Sequence, residues 1–555
     1  MRFPGLLLAA AATFVGHAFA QAPTVGGLLN NYSFTLPGLP NYGIAQGSIF
    51  DIFGTNLAGQ TTPLQNPPLQ STLNGVTINV TVSGVTTHPL FYFQSSIQID
   101  AILPSTTPVG TGTITVTTSA GTSPEFPIQV VASGFGLLTK NNGAGPVVGY
   151  DANNNHELIS YSAATNPGDT LELWGTGLGP VADDAPSVSI TTPIEVDIGG
   201  IPATVTYHGR SSYAGLDQVN VVVPDGVSGC NVSVVVISGG YVSNYGTLPV
   251  APSGRTCSDP LNPLSSDITD KVNTSGSFSG GVIVLNKSTT PGTTIGGVTV
   301  GGGTVDSGSA IFSKITAAQF NAGGYTAAAG GYSSIGSCIV NFFSSTGGSS
   351  APPPAFQVTY LNAGPNINIT GPDGTIAMPL QTVNDITLYG TPATATSFIP
   401  DSGGAFAFDN ASGGPDVGAF TAQLQLATPL NWSNKDSIST VDRTQGVTVN
   451  WTGGDPDTYV NITGLSFGSV DGSDSNFVAG YFSCQAPVAA GTFTVPSPVL
   501  LSLPASYTIT AGGITVSTSS LSLLNITSPV TFTAPGLDVG LIEAIVENTI
   551  TVTYQ

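Results

Sequence analysis

Residues 47–59 read GSIFDIFGTNLAG, and residues 168–180 read GDTLELWGTGLGP. At an offset of 121, Gly47 falls on Gly168, Phe53 on Trp174, Gly54 on Gly175 and Leu57 on Leu178. A second pair of blocks, QIDAILP at 98–104 and QVNVVVP at 218–224, repeats at an offset of 120. Two blocks whose offsets agree to within one residue indicate a tandem duplication. Each first block is a strand running into a glycine-rich turn, where the backbone takes positive φ or passes close to its neighbours. Each second block is a buried strand ended by Pro, which has no N–H to continue a ladder.

Outward from these blocks the texture persists. Val76-Thr77-Ile78-Asn79-Val80-Thr81-Val82 and Gly446-Val447-Thr448-Val449-Asn450-Trp451 alternate apolar and polar residues, and Gly, Pro or Asn-Gly breaks such runs about every ten residues. Period two with β-branched side chains predicts antiparallel sandwiches. A chain of 555 residues needs several of them. Composition excludes other classes. Only 7% of residues are charged, 9 Lys+Arg against 31 Asp+Glu, which leaves no clustered cations for nucleic acid. The same scarcity of Glu and Lys excludes a long helical bundle, and apolar residues spread along the chain exclude disorder. The net charge of −22 is thinly spread and implies solubility rather than a dedicated cation-binding surface.

Residues 1–20, MRFPGLLLAAAATFVGHAFA, combine Arg2, an apolar run from Leu6 to Val15 and the small-x-small site Ala18-Phe19-Ala20. This predicts a signal peptide cut between Ala20 and Gln21. No later apolar run reaches the length of a membrane span, so none is expected after cleavage. An even cysteine count in an exported chain predicts two disulfides. Four cysteines allow three pairings; Cys230 with Cys257, closest in sequence, and Cys338 with Cys484 are favoured. A zinc site is disfavoured because C-x₂-C spacing is missing.

GDTLELWGTGLGPV (168–181), VDIGGIPATVTYHG (196–209), LDQVNVVVP (216–224) and CNVSVVV (230–236) together resemble a bacterial domain family of unknown function. That family is found near the C-termini of large secreted proteins of soil bacteria and is similar to the IPT/TIG immunoglobulin-like sandwich. The first repeat resembles its companion through PLFYFQSSIQIDAILP (89–104). The resemblance implies secretion and an all-β fold class, a multi-domain array of antiparallel immunoglobulin-like β-sandwiches. It brings no catalytic residues. Position 208 is His where the family is expected to carry a small residue, which points to an exposed, tolerant site. The expected organisation is a signal peptide at 1–20, module one at 31–132, a linker at 133–154 and module two at 155–257. A Gly-rich β segment at 264–350, a β module at 355–427 and a fibronectin-like C-terminal module at 428–555 follow.

Chemistry-bearing residues are sparse. Three histidines follow the leader, His88, His156 and His208; His88 and His208 are equivalent in the two repeats, and neither has Cys, Asp or Glu at metal-ligand spacing. No G-x-S-x-G elbow occurs, and Gly301-Gly302-Gly303 precedes neither a Lys nor a helix pattern, so triad chemistry and phosphate cradling are not indicated. Glycoside cleavage needs two carboxyls. Asp455 and Asp457 are the first suspects, but GGDPDT (453–458) reads more simply as a turn, and Glu172 alternates with Leu171 and Leu173 toward solvent. Asp471 and Asp474 in VDGSDSN (470–476) are weak calcium candidates, off the spacing of a helix–loop–helix site. Trp174 and Trp451 are read as core, Trp432 is undetermined, and Tyr459 is a weak candidate for an exposed binding face. Sequons at Asn79, Asn368 and Asn461 arise from composition.

No catalytic residue and no cofactor are expected. The leading expectation is a secreted or cell-surface protein with a non-catalytic binding, adhesion or structural role. Its partner would be an unknown protein or polysaccharide, with no nucleic acid and no membrane. The alternatives are a carbohydrate-active enzyme whose site lies within 264–555, and a bare spacer.

Overall fold

The computed structural model describes residues 21–260, 266–295, 298–300, 302–320, 333–344, 358–383, 386–392, 397–470, 476–511 and 514–555. The expected leader up to Ala20 and the loop holding Asp471 and Asp474 lie outside the described residues.

The chain is all-β and multi-domain. In the first sandwich a four-stranded sheet runs in the order Thr24–Asn30, Ile49–Thr55, Gln98–Ile102, Leu90–Gln94. It packs on a seven-stranded sheet built around Phe126–Val131, Gly110–Thr118 and Val76–Val82. Alternation decides which side chains meet. In Val76–Val82 every second residue is buried, so Val76, Ile78, Val80 and Val82 face Phe50, Ile52, Ile99 and Ala101 of the other sheet. Each Val, Ile or Phe so removed from water contributes roughly 1.5–3 kcal/mol.

The second sandwich repeats these pairings. Thr170–Thr176 lies between Gly149–Asp151 and Asp217–Val222, as Ile49–Thr55 lies between Thr24–Asn30 and Gln98–Ile102. Leu29 faces Asp51 where Tyr150 faces Glu172, and Asp51 faces Asp100 where Glu172 faces Asn220. A parallel contact of Ile44 with Val130 recurs as Thr165 with Val250.

The first strand of each sandwich begins before the expected bounds of 31 and 155. Residues 133–154, expected as a linker, carry the short strands Gly136–Leu137, Thr139–Asn141, Ala144–Val147 and Gly149–Asp151, all paired within the second sandwich. They are two to four residues long, too short for an alternating pattern to show in the sequence.

In the second half of the chain, strands from all three expected segments share one 14-stranded sheet. Its two outermost strands on the main path are Cys338–Ser344 and Thr421–Leu426. Ser277–Thr290 pairs with Gly303–Thr316 and, in parallel, with Val539–Thr551. One core gathers Ile283, Phe312, Ile369, Tyr389, Phe406, Phe420 and Ile542. The other gathers Val340, Trp432, Val449, Trp451, Ile462, Phe482 and Tyr554, together with Val235, Val242 and Tyr245 of the second sandwich. The segments 264–350, 355–427 and 428–555 are therefore interleaved rather than consecutive. A parallel partner more than 200 residues away leaves no local mark on a Gly/Ser/Thr-rich strand.

Cys230 is bonded to Cys257 and Cys338 to Cys484. Cys338 and Cys484 are direct cross-strand partners. No helix among the described residues is long and apolar enough to cross a membrane.

Candidate functional site

Two places concentrate polar side chains where sandwiches meet. The first is the joint between the two repeats. Loop residue Gly215 of the second sandwich lies on Ile49 and Ile102, which point outward from the first. Its φ is +75° and an added Cβ would sit 2.7 Å from Ile49 Cγ1, so only Gly fits this approach. Thr176 Oγ1 accepts a hydrogen bond from Ile49 N at 2.8 Å and donates to Gly215 O at 2.6 Å. The Asn30 side chain donates to Gly134 O and Thr176 O.

Arg210 and Asp217, both fully buried, form an ion pair at 2.7 Å. The other Asp217 oxygen accepts from Gly177 N and Leu178 N, each at 2.8 Å. Burial pushes the Asp217 carboxyl up, and Arg210 with the two amides opposes that rise. In the first sandwich, Asp51 and Asp100 stand side by side on adjacent strands, with Asp51 fully buried. Asp51 accepts from Asn31 and Asp100 from Gln98. Burial pushes both carboxyls up, and the Asp100 charge lifts Asp51 further. The pair thus holds a proton at pH values where exposed carboxyls have lost theirs.

The second place is a cavity of about 280 Å³ at the edge of the second sandwich. Lys140, Pro146 and Val147 enter it from the hairpin of Thr139–Asn141 and Ala144–Val147. Asn142 and Gly143 turn that hairpin, both at positive φ. Ile159 to Ser162 and Pro249 supply another wall, and Asn273 closes it from the helix Ser266–Ser275. The Cys230–Cys257 bridge packs with Ala164, Ala251 and Tyr161. Cys257 N donates to Tyr161 O, so the disulfide braces the Tyr161 wall. Tyr161 also touches the cluster of Val272, Phe278 and Phe320 and so spans the joint to the following unit.

Lys140 is half-buried, and burial lowers its ammonium pKa. Arg210, Arg255, Lys271 and Lys287 each meet a carboxylate, whereas Lys140 meets none among the described residues. Nearby in sequence, Asp151 and Glu157 are both engaged by Arg255. The cavity therefore sets the Lys140 ammonium and the Ser160 and Ser162 hydroxyls beside an apolar wall of Val147, Ile159 and Pro249.

The residues singled out in the sequence are dispersed. His88 is exposed beside Asn79, His156 contacts Glu172 at 3.2 Å, and His208 Nε2 lies 3.1 Å from Thr192 O. His208 is half-buried, not the exposed position expected. Glu172 is likewise half-buried against His156 rather than free in solvent. Trp174 shares the outward side of its strand with Glu172 and is half-buried, in contrast to its expected place in the core; Leu171 and Leu173 take the inward side. Trp451 is in the core and donates to Val488 O, Trp432 is buried and donates to Asn434, and Tyr459 is half-buried. Asp455 accepts from Asp457 N inside the turn. Sequence reasoning passed over Lys140, although Asn142-Gly143 is a hairpin signal that could have located it.

No protein-family model and no curated protein sequence matches the chain. Among solved structures it is similar to a surface glycan-binding protein of a Bacteroides ovatus mixed-linkage glucan utilisation locus, in complex with a heptasaccharide. That match has 12% identity and a TM-score of 0.20, covering 44% of this chain and 58% of that one. A surface glycan-binding protein from a Bacteroides uniformis xyloglucan utilisation locus matches at 9% identity and a TM-score of 0.15, covering 86% and 97%. Domains 5–6 of the S-layer protein SbsC match at 14% identity and a TM-score of 0.15, covering 42% and 99%. None of these TM-scores supports inference, and the fold rests on the chain's own topology.

Proposed function

We propose that the chain is a secreted or cell-surface β-sandwich protein that binds a polysaccharide without cleaving it. The cavity at Lys140 carries this reading. Its lining sets serine hydroxyls and a lysine ammonium beside an apolar wall, a combination suited to a sugar. The nine lining residues include no Asp or Glu, whereas glycoside cleavage uses two carboxyls across one bond. The leader pattern of residues 1–20 and the two disulfides support export. The matching registers of the two sandwiches support placing them in the secreted soil-bacterial domain family that their motifs resemble.

The test is a polysaccharide array probed with residues 21–555. Specific retention of a glycan with no released product is the expected result. Release of product would establish the rival reading, an enzyme with its site within 264–555. Absence of any retention would leave a spacer and overturn the binding role.

A further inference from the structure

We infer that the Lys140 cavity selects a carboxylate-bearing sugar, a uronate residue within an acidic polysaccharide. The inference rests on the glycan-binding reading above and names the class of glycan. In a chain of 9 basic against 31 acidic residues, cations are scarce, and four of them are already held by carboxylates. Lys140 stands half-buried in a cavity wall, and no ion pair joins it to a carboxylate among the described residues. A partly desolvated ammonium gains most from an anionic partner, because the charge-assisted hydrogen bond restores what burial removed.

The rest of the lining specifies the anion. A dianionic phosphate monoester calls for more than one cation, whereas one ammonium balances one singly charged carboxylate. Ser160 and Ser162 bring neutral hydroxyls to the lining for a ring's own hydroxyls, and Val147, Ile159 and Pro249 supply an apolar face. The volume of about 280 Å³ is small for a ligand pocket and suits one ring of a chain rather than a long stretch. The overall negative charge does not prevent this, since exposed charges more than about 8 Å away are largely screened at physiological ionic strength.

Calorimetric titration of residues 21–555 with oligogalacturonate, galacturonate monomer, acetate and a neutral oligosaccharide of similar length tests the inference. Binding of oligogalacturonate is expected to fall about tenfold to hundredfold in Lys140→Gln and to be largely kept in Lys140→Arg. Unchanged thermal unfolding of Lys140→Gln would assign the loss to the site rather than the fold. Galacturonate monomer is expected to bind weakly and acetate not at all. Acetate binding as tightly as the oligomer would make the site a general anion site and overturn the inference. Lys140-dependent binding of the neutral oligosaccharide instead would overturn the acidic class and leave glycan binding intact. Failure of every glycan would overturn both.

Discussion

The two repeats carry the same strand register and use it in different surroundings. Gln98 donates to Asp100 at 2.8 Å in the first, and Gln218 donates to Asn220 at 2.8 Å in the second. In both, an acidic residue faces that acceptor across the strand pair, Asp51 in one and Glu172 in the other. Asp51 is fully buried, while Glu172 stays half-buried with His156. The loop around Gly215 covers the outward side of the first sandwich, packing on Ile49 and Ile102. Duplication copied the pairing, and packing against the neighbour set the environment. An acidic residue that is half-buried beside a histidine in one repeat becomes half of a buried carboxyl pair in the other.

The largest effect is expected at the joint itself. Arg210→Met leaves Asp217 buried without its cation and is expected to cost about 3–5 kcal/mol, measured by denaturant unfolding. Adding Asp217→Leu should recover only part of that loss, because the amides of Gly177 and Leu178 then lack their acceptor. A loss below about 1 kcal/mol in the single variant would mean that the joint is open to water.

A pH effect comes next. Asp51 and Asp100 have folded pKa values above the ordinary carboxylate range, so the folded state binds more protons than the unfolded one. Their contribution is complete below the unfolded pKa and declines as pH rises through the folded values. The slope is at most about 1.4 kcal/mol per pH unit for one retained proton. Asp100→Asn gives the first repeat the residue that the second has at Asn220. It should flatten the slope and raise stability at alkaline pH, read from thermal melts across a pH series. Tyr32, Tyr92 and Asp217 lie close enough to perturb or be perturbed by the pair, and burial holds all three higher than usual. An unflattened slope in Asp100→Asn would place the pH dependence on Asp217.

The smallest effect is expected from the reciprocal change. Asn220→Asp sets a second carboxyl opposite Glu172 where water still reaches, and should cost less than about 1 kcal/mol in denaturant melts. A larger cost would mean that the two outward surfaces are alike after all.

How much of this was legible in the sequence follows from what alternation can and cannot record. Period two separates Phe50 and Ile52 from Asp51 within one strand, and Leu171 and Leu173 from Glu172, and it does so correctly. It does not say whether the outward side meets water or a neighbouring sandwich, so the burial of Asp51 was illegible and Trp174 was misplaced. Strands of two to four residues, such as Gly149–Asp151, hold at most two repeats of a two-residue period, too few to show as alternation, and their segment read as a linker. That misreading hid Lys140, the centre of the candidate site. The strand Ser277–Thr290 was legible as β, but its parallel partner Val539–Thr551 was not, because distant pairing is specified by the folded neighbours rather than by the local sequence.

A neighbouring sandwich seals the outward side of the first repeat at Asp51 and leaves that of the second only half-buried at Glu172 and Trp174. Infrared spectroscopy of the carboxyl stretch, followed as pH rises out of the ordinary carboxylate range, tests it most directly. The account predicts a protonated-carboxyl band that weakens in Asp51→Asn and persists unchanged in Glu172→Gln. A spectrum without that band, or one that Asp51→Asn leaves at full strength, would contradict it.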